Sequence, residues 1–211
     1  MSSFDRIIKF IFDRVVALLG LLVLGIPLLV IAVLVKLSMH DGPVFFTQVR
    51  IGLHGKRFKI HKFRTMTNEQ ELSNIAYPNR ARITPFGAKL RRHKIDELPE
   101  LWDVLVGNMS FVGPRPDVPG YADCLEGDDR VVLEMRPGIT GPATLKYSNE
   151  EKLIEDYVKQ ARKNGDQRSE DEIALWYNDE VIYPDKVRIN CEYYRNYTFF
   201  KDIKIILRTI F

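Results

Sequence analysis

The sequence predicts a mainly helical α/β chain held at a membrane by both of its ends. Three observations carry this. An uncharged apolar run extends from Val15 to Val35, an amphipathic stretch covers Phe199 to Phe211, and the charged region between them is patterned mostly at helical spacing with one strand-like alternation. At 211 residues the chain is long enough for one domain with its own core. The division this suggests is a membrane helix over 1–40, a globular domain over 41–195 and an interfacial helix over 196–211.

The first element has 21 residues without a charge, bracketed by Arg14 and Lys36. About 20 apolar residues span a bilayer core. No small-residue cleavage site follows, so a secretory signal is disfavoured. Pro27 lies mid-segment, where it removes a backbone hydrogen bond and crowds the preceding turn, and Gly25 loosens the same place. Both flanks are basic, with Arg6, Lys9 and Arg14 before and Lys36 after, and positive flanks stay on the cytoplasmic side. A helix that enters, bends at Pro27 and returns satisfies both features; a kinked single-pass helix satisfies the proline alone.

The central charge is uneven. Residues 36–94 carry 13 Lys/Arg against three acids, whereas residues 150–192 carry 12 acids against seven bases. That pattern suits a phosphate-rich or anionic-lipid surface and argues against a uniformly basic nucleic-acid binder; a solvated charged face is the plain alternative. Within the basic part, Lys56 to Met66 alternates basic and apolar residues as a half-buried strand does, with Lys62 and Arg64 on offer to a phosphate. Cys124 and Cys191 have no CxxC spacing and the four histidines form no ligand pattern, which disfavours disulfide and zinc frameworks.

Residues 84–116 read as helix, turn, helix and stiff loop. Thr84-Pro85 caps and opens the first helix, which carries Arg91 and ends near Ile95. Asp96-Glu97-Leu98-Pro99 opens the second, and Gly107 closes it. Two adjacent carboxylates at a helix N-terminus are held anionic by the dipole, though acids are also ordinary first-turn residues. Their company favours chemistry. Arg91 stands one turn earlier, and Arg115 is flanked by Pro114 and Pro116, so its guanidinium sits on stiffened backbone suited to gripping phosphate. Arg136-Pro137-Gly138 begins a second such element. Carboxylates among arginines, with phosphates expected, suit Mg²⁺, which takes one or two carboxylates plus phosphate oxygens.

The C-terminal stretch places Phe199, Ile203, Ile206, Leu207 and Ile210 on one helical face, with Lys201, Lys204 and Arg208 mostly opposite. Such a helix rests in the headgroup plane or packs on a core.

Five segments in order resemble the bacterial monotopic phosphoglycosyl transferases, the sugar transferases of glycan assembly. They are Gln48 to Gly52, Lys62 to Met66, Asp96 to Pro99, Gly107 to Pro116 and Arg136 to Gly141. The resemblance implies a small monotopic membrane protein: a proline-broken re-entrant helix, interfacial amphipathic helices and a compact cytoplasmic catalytic domain at the inner membrane. It implies a UDP-sugar donor, a polyprenyl phosphate acceptor (undecaprenyl phosphate) and Mg²⁺. Matched position by position, Asp96 is the nucleophile, Glu97 the metal-binding partner, Arg91 and Arg115 the phosphate-binding arginines, and Pro27 the helix breaker. Two departures stand out. Glu100 replaces a usual glutamine, and Ser148 stands where an arginine closes the loop after Gly141, with Lys146 nearby. The acidic region 150–185 exceeds the family's minimal form and has no assigned role. Two competing readings remain: a membrane-tethered phosphate-binding or regulatory module without turnover, and a peripheral protein that only docks on anionic lipid.

Overall fold

A computed structural model describes residues 1–67 and 82–211. Residues 68–81 of the basic stretch, including Glu69, Glu71 and Arg80, lie outside the described residues.

Helix α1 runs from Ser3 to Ser38, opened by a capping box between Ser2 and Asp5, and the chain is helical on both sides of Pro27. Among the described residues it is the one helix long and apolar enough to cross a membrane. Leu22, Val23 and Ile26 are more than 70% exposed, while Lys9, Asp13, Ala17 and Val35 are buried. Ala17 packs with Ile60, Val104 and Met109, and Val35 packs with Phe63 and Leu90, so both halves of α1 rest on the same domain.

Strands β1 (Phe45–Ile51) and β2 (Arg57–Phe63) form an antiparallel hairpin with Gln48 opposite Ile60 and Phe46 opposite Lys62. The alternation read over 56–66 is therefore a real strand, shorter by a residue at its start and by three at its end. Helix α2 (Pro85–Arg92) begins as expected, with Thr84 accepting from the Gly87 amide. It ends earlier than Ile95, because Lys94 takes a left-handed conformation at φ 55°. Next come a single 3₁₀ turn, Ile95–Glu97, and helix α3 (Glu100–Val106), closed by Gly107 at φ 94°.

The two stiff loops pair, which spacing alone does not reveal. Strands β3 (Ser110–Val112) and β4 (Gly138–Thr140) run parallel, and backbone meets backbone there. A Cβ on Gly138 would lie 2.1 Å from the Gly113 nitrogen, and one on Gly113 would lie 2.3 Å from the Arg136 carbonyl. Both positions require glycine.

Helix α4 (Pro142–Lys146) leads into α5 (Glu150–Lys163) and α6 (Glu170–Tyr177), joined by a π turn to α7 (Tyr183–Arg195). The acidic region is thus an ordered helical hairpin with its own apolar cluster, Ile154, Val158, Ile173, Ala174 and Ile182. Helix α8 (Phe199–Ile210) ends the fold. Its packed face differs from the predicted stripe. Asp202 and Ile205, outside that stripe, are buried; of the stripe itself Phe199, Ile203 and Ile206 are half-buried, and Leu207 and Ile210 are exposed. The reason is a buried polar joint. Asp202 accepts from Tyr193 through Oδ1, and from Lys9 and Tyr197 through Oδ2, the last at 3.1 Å.

Candidate active site

Lys62 projects from the last turn of the pleat in β2, on the same face as Ile60 and their β1 partners Phe46 and Gln48. Its Nζ donates to Glu97 Oε1 at 2.6 Å and lies 3.1 Å from Glu100 Oε1. Arg115, on the loop after β3, donates to the same Glu97 Oε1 at 2.7 Å. The 3₁₀ turn and the first turn of α3 therefore bring Asp96, Glu97 and Glu100 together, all buried, against two cations from other parts of the chain. A small cavity at this place is lined by Arg50, Ile60, Lys62, Glu100, Arg115 and Pro116.

The electrostatics separate the three acids. Burial opposes ionisation of Glu97, but Arg115 and Lys62 outweigh it and hold the carboxyl well below the usual range. Burial, then the Glu97 charge, push Asp96 up, while Lys62 and Arg91 pull the other way. The dipole expected to keep Asp96 anionic is outweighed because the pair sits on a buried 3₁₀ turn rather than on an exposed helix end. Burial raises Glu100 to about 7, opposed by Lys62 and reinforced by Glu97. Nearby Asp117 rises to about 6, mainly through burial, despite Lys186 and Arg50.

Hydrogen-bond satisfaction is incomplete here. Asp96 Oδ1 is buried without a hydrogen-bond partner, Glu100 Oε1 has only the ion-pair contact of a Lys62 ammonium it shares with Glu97, and both hydrogen bonds to Glu97 fall on one oxygen. Such orphaned acceptors are costly unless a ligand completes them. Among the described residues no group of three or more His, Cys, Asp or Glu side chains could hold a metal. A cation that takes most of its shell from substrate phosphates and water does not need one, and the open carboxylate oxygens of Asp96 and Glu97 fit that donor set.

The predicted site residues fall into two groups. Asp96, Glu97, Lys62 and Arg115 meet directly, and Arg91 joins their electrostatic field while its guanidinium pairs with Glu151 at the start of α5. Arg64 and Arg136 go elsewhere. Arg64 is buried beneath the end of α1, donating to the Met39 carbonyl and to Asp41 at 3.3 Å. Arg136 donates through Nε to the Gly107 carbonyl at 2.9 Å and lies over the Phe10 ring. Lys146 pairs with Asp185 at 2.6 Å rather than with the cluster. Arg50 was unassigned from sequence; its presence follows from strand parity once the hairpin register is known. Glu151 was unassigned too, and only the docking of α5 brings it to Arg91.

The family described as bacterial sugar transferase matches residues 4–211. An uncharacterized sugar transferase of Bacillus subtilis, EpsL, is 34% identical over 97% of this chain and 86% of its own length. A UDP-glucose:undecaprenyl-phosphate glucose-1-phosphate transferase of Escherichia coli is 34% identical over the whole chain, which spans 41% of that relative. A putative undecaprenyl-phosphate N-acetylgalactosaminyl 1-phosphate transferase of Bacillus subtilis is 36% identical over 69% of this chain and 80% of its own length.

Proposed function

This chain belongs to the bacterial sugar transferase family, and we propose that it moves a sugar-1-phosphate from a UDP-sugar to a polyprenyl phosphate, releasing UMP. The relatives' names supply undecaprenyl phosphate as acceptor and differ in the sugar, glucose in one and N-acetylgalactosamine in another. The observation that carries the reading is the buried Asp96–Glu97 pair, with Glu97 gripped by Lys62 and Arg115 beside orphaned carboxylate oxygens.

In the proposed reaction, Asp96 attacks the sugar-bearing phosphorus. An Asp96 oxygen–phosphorus bond forms, the phosphoanhydride bond breaks, and UMP leaves with its electron pair. An oxygen of the lipid phosphate then attacks the same phosphorus and frees Asp96; being already an anion, it needs no general base. Lys62 and Arg91, which already pull against the burial of Asp96, favour its ionised, nucleophilic form. Arg115 has room to exchange its bond to Glu97 for phosphate oxygens, which its planar fork suits. Glu97, with one carboxylate oxygen open, would hold Mg²⁺, which would supply charge neutralisation at the diphosphate.

The same reading places the domain at the cytoplasmic face with α1 re-entrant. The basic flanks support it, and so does the packing. Lys9, Asp13 and Ala17 near one end and Val35 near the other are buried against a single domain, as a re-entrant helix would leave them.

The test of mechanism omits lipid. Incubated with UDP-glucose, UDP-N-acetylgalactosamine or related donors and Mg²⁺, the protein should gain one phosphosugar on the peptide containing Asp96, and Asp96→Asn should not. Absence of the adduct together with intersecting initial-rate lines would replace the covalent route by direct attack in a ternary complex.

A further inference from the structure

We propose a second anion site, separate from the carboxylate cluster, in which Arg14 and Arg136 hold the phosphate of a bilayer phospholipid at the foot of α1. It rests on α1 meeting lipid and not on the transfer reaction.

The two guanidinium carbons lie 4.0 and 5.0 Å from the centroid of the same ring, Phe10. Bringing two like charges onto one ring is unfavourable unless an anion compensates. One carboxylate is close: Asp13 Oδ2 lies 3.6 Å from Arg14 Nη1. The other oxygen of Asp13 accepts the Phe111 amide at 3.3 Å. Two cations against one acid leave a positive charge unbalanced in a mostly buried place. Hydrogen bonding is equally short. The three guanidinium nitrogens of Arg14 are buried with no hydrogen-bond partner, although arginine is a five-donor group. Arg136 places its Nε on the Gly107 carbonyl, which leaves its terminal nitrogens for an incoming oxygen.

Gly107 allows this approach. A Cβ there would come within 2.9 Å of Arg14 Nη2.

The rim identifies the ligand as a lipid. Phe10, Trp102 and Val106 are each about half exposed. Trp102 and Val106 stand one turn apart on α3, directly before Gly107, and the exposed apolar residues of α1 continue from Phe10 through Leu18 and Leu19. A soluble anion would find apolar walls around its charge partners, whereas a phospholipid presents a phosphate with acyl chains to match them. Phe10 covers Arg14, so the phosphate meets Arg136 first and reaches Arg14 as the ring moves aside. Arg115 and Arg136 leave the same backbone-packed pair of segments for different partners, Glu97 and Phe10, which keeps this site apart from the reacting groups.

The experiment is native mass spectrometry of the full chain released from non-ionic detergent micelles, titrated with phosphatidylglycerol and with no nucleotide sugar present. The wild type should retain one phosphatidylglycerol, and diacylglycerol of the same chain length should not be retained. Arg136→Gln should weaken retention about tenfold, the loss of a charge-assisted pair. Arg14→Lys, which keeps the charge and guards the fold, should weaken it several-fold, while Arg168→Gln should leave it unchanged. Retention equal to wild type in both Arg136→Gln and Arg14→Lys overturns the proposal. So does displacement from the wild type by inorganic phosphate, which would make this a site for soluble anions, or by equimolar polyprenyl phosphate, which would assign it to the acceptor.

Discussion

Asp202 and Asp96 are both buried carboxylates near a lysine, and they are built in opposite ways. Around Asp202 both oxygens are occupied by donors from two other helices and the short link before α8: Lys9 of α1, Tyr193 of α7 and Tyr197. Around Asp96 the lysine is shared by Glu97 and Glu100, and Asp96 Oδ1 has no hydrogen bond. A buried acid whose acceptors are all met is a structural joint. A cluster of buried acids that outnumbers its fixed donors is held at a cost that a cationic or phosphate ligand relieves. Between these two acids, the completeness of the hydrogen bonding, more than burial or charge, separates scaffold from site.

The comparison breaks most visibly in activity. Asp96→Asn should lower turnover by more than about 10³-fold, as loss of a nucleophile does, without lowering the melting temperature. Asp202→Ala should behave in reverse. Leaving Lys9 buried without its partner costs about 3–5 kcal/mol, read as a lower melting temperature, with the Asp96 adduct still forming in the folded fraction. An equal thermal loss in both variants would show that the two acids are not different in kind.

Arg115→Lys comes next. A point-charge ammonium keeps the Coulombic hold on Glu97 but not a forked grip on phosphate, so activity should fall about 10- to 100-fold. Lys89→Ala, an exposed position on the same basic stretch, should change activity less than twofold. Matching losses in a steady-state assay would make general positive charge the better account.

The pH dependence of Glu100 is a finer test. Its folded value, about 7, stands above its ordinary 4.5. The folded state therefore binds more protons than the unfolded one across that window, and this group makes stability fall as pH rises from about 4.5 to 7. Glu100→Gln removes that loss. Its melting temperature should match the wild type near pH 5 and exceed it near pH 8, and a gap independent of pH would show that Glu100 does not titrate there.

Much of this contrast was legible in sequence, and the unread part has a common cause. Local signals read well: Thr84-Pro85 opening α2, Gly107 ending α3, and the alternation of β2 all report backbone preferences within a few residues. The cluster Asp96, Glu97, Lys62 and Arg115 was legible from the company these segments keep in sequence and from the order of motifs they share with a known family, since adjacent acids or a basic alternation alone read equally well as ordinary surface. Arg64 and Arg136 have the same composition but point to the end of α1 and to Phe10, a choice made by tertiary packing. Arg50 needed the hairpin register, and the buried face of α8 needed Lys9, far away in sequence. Ile205 turns inward because Asp202 must reach that lysine, and an amphipathic plot of the last residues alone ranks Asp202 among the solvent-facing ones.

The joint between Lys9 and Asp202 also orders events in time. The two residues are 193 positions apart, so the ribosome delivers Lys9 within the first turns of α1 long before its counter-ion exists. Until Asp202 emerges, the nascent helix has a free ammonium at the point where it must settle onto the domain, and closing so long a loop is left to the final stage. Helix α1 is thus locked by a helix made 193 residues later, and a chain halted before residue 202 keeps its membrane segment unfastened, open to quality-control proteases that the longer chain escapes.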